Sequence, residues 1–323
     1  MNNYLEVLRA EVEKELSALA IPVEPSHLYE PMRYILGLGG KRIRPVLALM
    51  GCDLMGGDRS KAMPQAIAVE VFHNFTLVHD DIMDSAKVRR GLPTVHKKWD
   101  SNIAILSGDG MLVVTYQYLA KADPMHLPKL NHIFSTTALE VCEGQQLDMD
   151  FAHRSSVSIE EYTYMIRRKT AVLLGGAMQL GAVVAGAEEQ DLQRIKAFAE
   201  DMGLAFQLRD DYLDSFGDLE SFGKEIGGDI KEGKRTWLTI KAYESANQAQ
   251  KDRLDRAFAD QDMDARIKEV IAVYEELDVR DQLALEIERY SNRSAITLDS
   301  IKGDEAIKVQ LRDLVAYLIG RTT

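Results

Sequence analysis

Leu192, Ile195, Ala199, Met202 and Phe206 advance in steps of 3, 4, 3 and 4, and four residues further on the row arrives at Asp210. Such spacing is a core-facing stripe on an α-helix. Asp210 opens the pentapeptide Asp210-Asp211-Tyr212-Leu213-Asp214, and the same Asp-Asp-x-x-Asp pattern stands earlier as Asp80-Asp81-Ile82-Met83-Asp84. There too, Phe72, Thr76, Asp80 and Asp84 form one i,i+4 row. Residues four apart share a helix face, so each motif stacks like charges, at a cost of roughly 0.2–0.5 kcal/mol per pair. A carboxylate that continues an apolar row is costlier still unless it is paired or metal-bound. The plain alternative is a solvated acidic face, since the chain has 51 acidic residues. The apolar rows leading into both motifs argue for cation sites on two helices instead. Hard oxygen ligands favour Mg²⁺, which binds through one or two carboxylates plus substrate phosphates.

Helix dominates the rest of the chain. Eight prolines in 323 residues leave long uninterrupted runs, and strand-like alternation is scarce. A charged amphipathic helix over 1–19 is separated from a second by Pro22 and Pro25. Gly37 to Pro45 reads as a basic, Gly-rich turn, and helical runs follow near 64–85, 101–121, 127–151, 159–186 and 188–215. Residues 217–233 read as a Gly- and charge-rich loop, with helix resuming near 235. The expectation is an all-α fold. No Pro/Ser-rich hinge divides it, so a single domain over 1–323 is expected, with a motif-bearing core at about 30–240 and a helical C-terminal part at about 241–323.

A net charge of −12 disfavours a nucleic-acid partner. Cys52 and Cys142 have no paired spacing, so neither a disulfide framework nor a zinc site is expected. The most apolar stretch, 171–187, has 17 residues, against the roughly 20 of a membrane span. Its Gly and Ala content suits close helix packing. With no signal-peptide pattern at the N-terminus, a cytoplasmic protein without an integral membrane segment is expected.

Basic residues cluster near the acids. Gly39-Gly40-Lys41-Arg42-Ile43-Arg44-Pro45 puts three cations in a turn whose glycines let the backbone approach a ligand. Arg89-Arg90-Gly91 follows the first motif closely, Lys169-Thr170 opens the apolar stretch, and Lys224, Lys231, Lys234 and Arg235 follow the second motif. A polyanion bridging metal and cations, such as a diphosphate, satisfies both sets. His73 lies two turns before Asp80 on the same face, and reads either as a satisfied core residue or as a ligand-binding one. Glu70-x-x-His73 also has di-iron spacing, without the second copy that such a site needs. Gln207 shares the helix of the second motif and can orient a diphosphate or a metal-bound water.

On these stretches, with Phe206 to Asp214 and Phe222-Gly223-Lys224 through Gly233-Lys234, the chain resembles the trans-isoprenyl diphosphate synthases, the polyprenyl synthetase family. The match spans about residues 30–240. Two departures are small: Arg235-Thr236-Trp237-Leu238 stands where members commonly have Thr-Leu-Pro, and the first motif lacks the longer spacing of many bacterial short-chain members. The resemblance implies a type I isoprenoid synthase bundle of about ten core helices around a deep central pocket, acting as a homodimer. It implies condensation of isopentenyl diphosphate with an allylic diphosphate. Asp80, Asp84 and Asp210 would ligate Mg²⁺, about three ions in all, with Asp81, Asp211 and Asp214 in or beside that shell. Lys169, Lys224, Lys234 and Arg89 would neutralise the leaving diphosphate, with Thr170 and Gln207 beside it. Lys41, Arg44, His73 and Arg90 would hold isopentenyl diphosphate. Phe72, Phe75 and Thr76 precede the first motif where members set product length, and one aromatic beside one small residue implies geranylgeranyl diphosphate. Farnesyl or a longer polyprenyl diphosphate is the alternative. Terpene cyclases share the first motif but carry a different second one, and non-catalytic subunits tend to lose both.

Overall fold

The computed structural model describes residues 3–154, 156–217 and 227–320, and among them the fold is helical apart from one small hairpin. The helices are α1 (Asn3–Ser17), α2 (Ser26–Gly37), α3 (Ile43–Leu54), α4 (Arg59–Met83), α5 (Val95–Lys98), α6 (Ser101–Leu119), α7 (Leu127–Phe151), α8 (Ile159–Ile166), α9 (Val172–Val184) and α10 (Glu189–Phe216). Beyond them, Gly228–Glu232, Trp237–Ser245, Gln248–Ala259, Met263–Glu276, Val279–Asp299 and Glu305–Leu318 are helical. Strands β1 (Val88–Arg89) and β2 (Leu92–Pro93) pair antiparallel. Arg90 and Gly91 between them have φ of 53° and 78°, the positive values that a tight two-residue hairpin turn requires.

Contacts gather the chain into two compact units. The first comprises Met1–Thr136, Gly176–Lys196 and Ile301–Leu314. In it, α1 buries Leu5, Leu8, Val12 and Leu16, one amphipathic face. Asp58 caps α4 by accepting from the Ser60 amide, and α4 packs chiefly on α3 and α6. Glycine allows a close helix approach here: a Cβ on Gly181 would lie 1.7 Å from the Ala48 carbonyl oxygen, and one on Gly51 would lie 2.2 Å from that of Met178. The Gly/Ala-rich stretch therefore serves packing. No helix among the described residues is long and apolar enough to cross a membrane.

The second unit comprises Thr137–Gly175, Ala197–Ser300 and Val315–Thr323. Ser158 and Glu161 form a reciprocal capping box that starts α8. The helix expected over 159–186 is interrupted. Arg167–Ala171 makes a π turn between α8 and α9, a widening that is frequent at functional sites. Two glycines accommodate it: a Cβ on Gly144 would lie 2.2 Å from the Lys169 amide nitrogen, and one on Gly203 2.8 Å from the Ala171 Cα. The loop expected over 217–233 contains the short helix Gly228–Glu232, framed by Gly227 and Gly233 at φ of 79° and 68°. Its start is tied to α10, because the Asp229 amide donates to Asp214 Oδ2 at 3.0 Å.

Candidate active site

The last turn of α4 carries the first acidic motif. The buried row there is Val71, Asn74, Val78 and Asp81, each at most 1 % exposed. Asp80 is half-buried and Asp84, the C-cap, is exposed. The same holds on α10, where Leu204, Leu208, Asp211 and Ser215 form the buried row while Asp210 and Asp214 are half-buried. This corrects the expectation that Asp80 and Asp210 continue the apolar faces. The middle carboxylate does so, and the outer two stand at the edge of the buried face. That edge places the outer carboxylates close enough to the surface to meet a cation.

The buried acids are satisfied in different ways. The Nε of Arg89, on β1, donates to both oxygens of Asp81 at 2.9 Å. Its Nη2 is 2.7 Å from Asp81 Oδ1 and 3.5 Å from Asp80 Oδ2. The guanidinium that the resemblance gives to a leaving diphosphate is thus anchored on the first motif. At Asp211, the Tyr162 hydroxyl of α8 donates to Oδ2 at 2.6 Å and Gln207 Nε2 to Oδ1 at 3.3 Å. Burial, then the Asp229 charge, push the Asp211 carboxyl up to about 7, against the opposing pull of those two hydrogen bonds. Burial, then the Asp211 charge, hold the Tyr162 phenol protonated, as a donor must be.

The basic turn shares the first unit with the first motif. Gly39, Gly40 and Arg42 have φ of 75°, 146° and 52°. Lys41 is exposed, Arg42 buried and Arg44 half-buried. Arg44 Nη1 lies 3.1 Å from His73 Nε2. Desolvation, with Arg44 and Arg90 nearby, depresses the His73 pKa well below its usual value, so the neutral ring accepts from Arg44. Arg90 donates to the Gly39 carbonyl. Glu70 accepts from Arg42 and Asn74, which removes the Glu70/His73 spacing as a di-iron signal. Upstream on α4, Phe75 makes ring contacts with Phe72 at 5.5 Å and His79 at 4.8 Å. Phe72 meets Phe134 at 5.1 Å, and the Thr76 hydroxyl donates to the His73 carbonyl.

In the second unit a cavity of about 220 Å³ brings Asp211 and Asp229 together with Lys169, Thr170, Gln207 and Lys234. Lys169 reaches it from the π turn and donates to Asp148 Oδ2 at 2.6 Å. Thr170 donates to Gln207 Oε1 at 3.2 Å. Lys234 lies 2.8 Å from Glu232 and 3.7 Å from Asp229. Lys224 lies outside the described residues. Asp148, Tyr162 and Asp229 are site residues that the sequence reading missed. Among the described residues no three acidic, His or Cys side chains converge into a metal cage.

A model of the polyprenyl synthetase family matches residues 25–277. The geranylgeranyl diphosphate synthase of Methanosarcina mazei is 39 % identical over 235 residues, 72 % of each chain. A crystal structure of a geranylgeranyl pyrophosphate synthase superposes with a TM-score of 0.95 at 45 % identity, over the whole of both chains. The geranylgeranyl pyrophosphate synthase of Corynebacterium glutamicum, complexed with isoprenyl diphosphate and magnesium, gives a TM-score of 0.86 at 27 % identity over 99 % of each chain.

Proposed function

The chain belongs to the polyprenyl synthetase family and is a short-chain prenyltransferase; from that premise we propose that it condenses isopentenyl diphosphate with allylic diphosphates to make geranylgeranyl diphosphate. The observation that carries this reading is the cavity in which Asp211 and Asp229 meet Lys169 and Lys234. Carboxylates and cations lining one small space suit a metal–diphosphate unit and little else.

Asp80, Asp84 and Asp210 hold Mg²⁺ in this reading, with Asp81, Asp211 and Asp214 supporting them. The ions supply Lewis-acid stabilisation of the departing diphosphate. Lys169, Lys224 and Lys234 neutralise the same group, and Arg89 adds its charge while fixing Asp81. Thr170 and Gln207 orient it. Binding a diphosphate at Lys169 replaces the Asp148 carboxylate with a stronger anion. Lys41, Arg44, His73 and Arg90 hold isopentenyl diphosphate, and neutral His73 acts there as an acceptor that aims Arg44. No protein base is needed, since released diphosphate takes the proton. Apolar walls exclude water from the allylic cation.

Phe75, braced between Phe72 and His79, sets the product length, with Thr76 as the small neighbour. Relatives named geranylgeranyl diphosphate synthase support that product. The chain works as one domain and pairs with a second copy through α6, where Ile105, Leu106, Val113 and Tyr116 are 43–60 % exposed and offer an apolar face for the partner to cover. The direct test incubates purified protein with Mg²⁺, isopentenyl diphosphate and each allylic primer, then measures product lengths. Geranylgeranyl diphosphate is expected from every primer, and no product from any primer sinks the proposal. Phe75→Ala is expected to lengthen the product. An unchanged distribution from a folded, active variant removes Phe75 as the stop.

A further inference from the structure

Three cations stand in the basic turn, and one is unlike the others. Arg42 is 4 % exposed and its backbone is left-handed at φ 52°, a strained conformation for a residue with a side chain. Its guanidinium faces inward. Nε donates to Glu13 Oε1 of α1 at 2.9 Å, Nη1 to Glu70 Oε1 of α4 at 2.6 Å, and Nη2 to the Leu36 carbonyl of α2 at 2.7 Å. Asn74 adds a bond to the same Glu70 oxygen at 3.0 Å. Two carboxylates offset one guanidinium whose side chain is 1 % exposed, so Arg42 is closed off from a diphosphate arriving from solvent.

Its neighbours differ. Lys41 is exposed, and Arg44 carries a buried Nε with no hydrogen-bond partner. Arg44 feels the Glu70 charge as well as that of Arg90. If Arg42 were absent, the Glu70 carboxylate would be free to take Arg44 as its partner, since a buried carboxylate is costly without one.

We propose that Arg42, Glu13 and Glu70 form a positioning strut for the isopentenyl diphosphate site. The strut pins the left-handed step between Lys41 and Arg44 to three helices. It also occupies Glu70, so that Arg44 stays available to substrate. The inference rests on the reading that Lys41 and Arg44 bind isopentenyl diphosphate. It adds that α1, which carries none of the sequence motifs, shapes that site through Glu13.

The test is a steady-state comparison of Glu13→Gln, Glu70→Gln, Arg42→Lys and Lys41→Ala in the full chain. Each is assayed for KM of isopentenyl diphosphate, KM of the allylic diphosphate and kcat, with far-UV circular dichroism to verify folding. The strut predicts that Glu13→Gln raises KM for isopentenyl diphosphate by about 3- to 10-fold, the loss of one charge-assisted hydrogen bond at a part-exposed site. The allylic KM should stay within about 2-fold. Glu70→Gln should act in the same direction and more strongly, and Arg42→Lys, which loses the planar fork, more strongly still. Glu13 is part-exposed, so its variant keeps the test alive if the others fold poorly. A response of Lys41→Ala without a response of the folded strut variants overturns the strut alone, as does an equal rise in both KM values. An unchanged KM for isopentenyl diphosphate in Lys41→Ala overturns the substrate assignment of the turn, and the strut's positioning role with it.

Discussion

Asp81 and Asp211 hold the same place in their motifs and are 1 % and 3 % exposed, yet they are held by opposite kinds of neighbour. Asp81 faces a guanidinium, with Arg89 bound to both oxygens. Asp211 faces a phenol and an amide, and the charges of Asp229 and Asp210 crowd it further. One motif is a neutralised ion pair ready to support its outer carboxylates. The other carries a carboxyl that resists ionisation until a cation arrives. Three matching aspartates therefore specify a helix and its outer ligands, while the electrostatics come from Arg89, eight residues on, and Tyr162, 49 residues back.

The largest effect should erase the difference. Asp80→Asn and Asp210→Asn each remove an outer metal ligand, and turnover should fall by about 100-fold or more in both. Near-normal activity in either variant breaks the equivalence of the two motifs. Chelation should abolish activity and added Mg²⁺ restore it.

The middle aspartates should part company in stability. Asp81→Asn leaves Arg89 facing a neutral amide and should cost about 1–3 kcal/mol in denaturant unfolding. Asp211→Asn keeps a hydrogen-bonding group before Tyr162 and removes a strained charge, so its midpoint should hold or rise. Equal losses in the two variants would mean that the contrast has no energetic content.

A smaller effect concerns acid, measured on metal-free protein. His73 has a folded pKa below its usual 6.5, so the unfolded chain binds more protons below that pH. Its contribution is present above pH 6.5 and is lost as pH falls through it, with a slope of at most about 1.4 kcal/mol per pH unit. Asp211 runs the other way. With its pKa raised from 3.8 to about 7, the folded state holds the proton, and stability is lost as pH rises between those values. Unfolding midpoints of His73→Gln and Asp211→Asn against pH should diverge from the parent in opposite directions. Parallel curves would contradict both assignments.

Long, strongly periodic elements were legible in the sequence. The run expected at 127–151 coincides with α7, and the one at 188–215 differs from α10 by a single residue at each end. The π turn was hidden because apolar spacing continues through Arg167–Ala171, and only its packing on Gly144 and Gly203 reveals it. The helix Gly228–Glu232 was read as loop because its start is secured by the side chain of Asp214, a contact between distant residues. The β1–β2 hairpin is two residues a side, too short for alternation to register. The buried role of Asp81 has a trace in the sequence, the row Val71, Asn74 and Val78, whose polar second member makes it a weak apolar stripe. Partners such as Asp148 for Lys169 and Tyr162 for Asp211 have no local pattern and exist only after folding.

The π turn sets where Lys169 stands on the helix that contains it. Seven residues separate Tyr162, which holds Asp211, from Lys169, which reaches Asp148. A π turn carries one more residue than the α turn it replaces, so deleting Arg168 would return the segment to ordinary α winding with α8 and α9 close to their present phase, while Lys169, inside the widened turn, would shift relative to Tyr162. A loop absorbs a lost residue at its surface, but here the shift would uncouple the two anchors while the helix itself remained intact. This segment accordingly constrains length as well as composition, since Lys169 and Thr170 within it line the cavity.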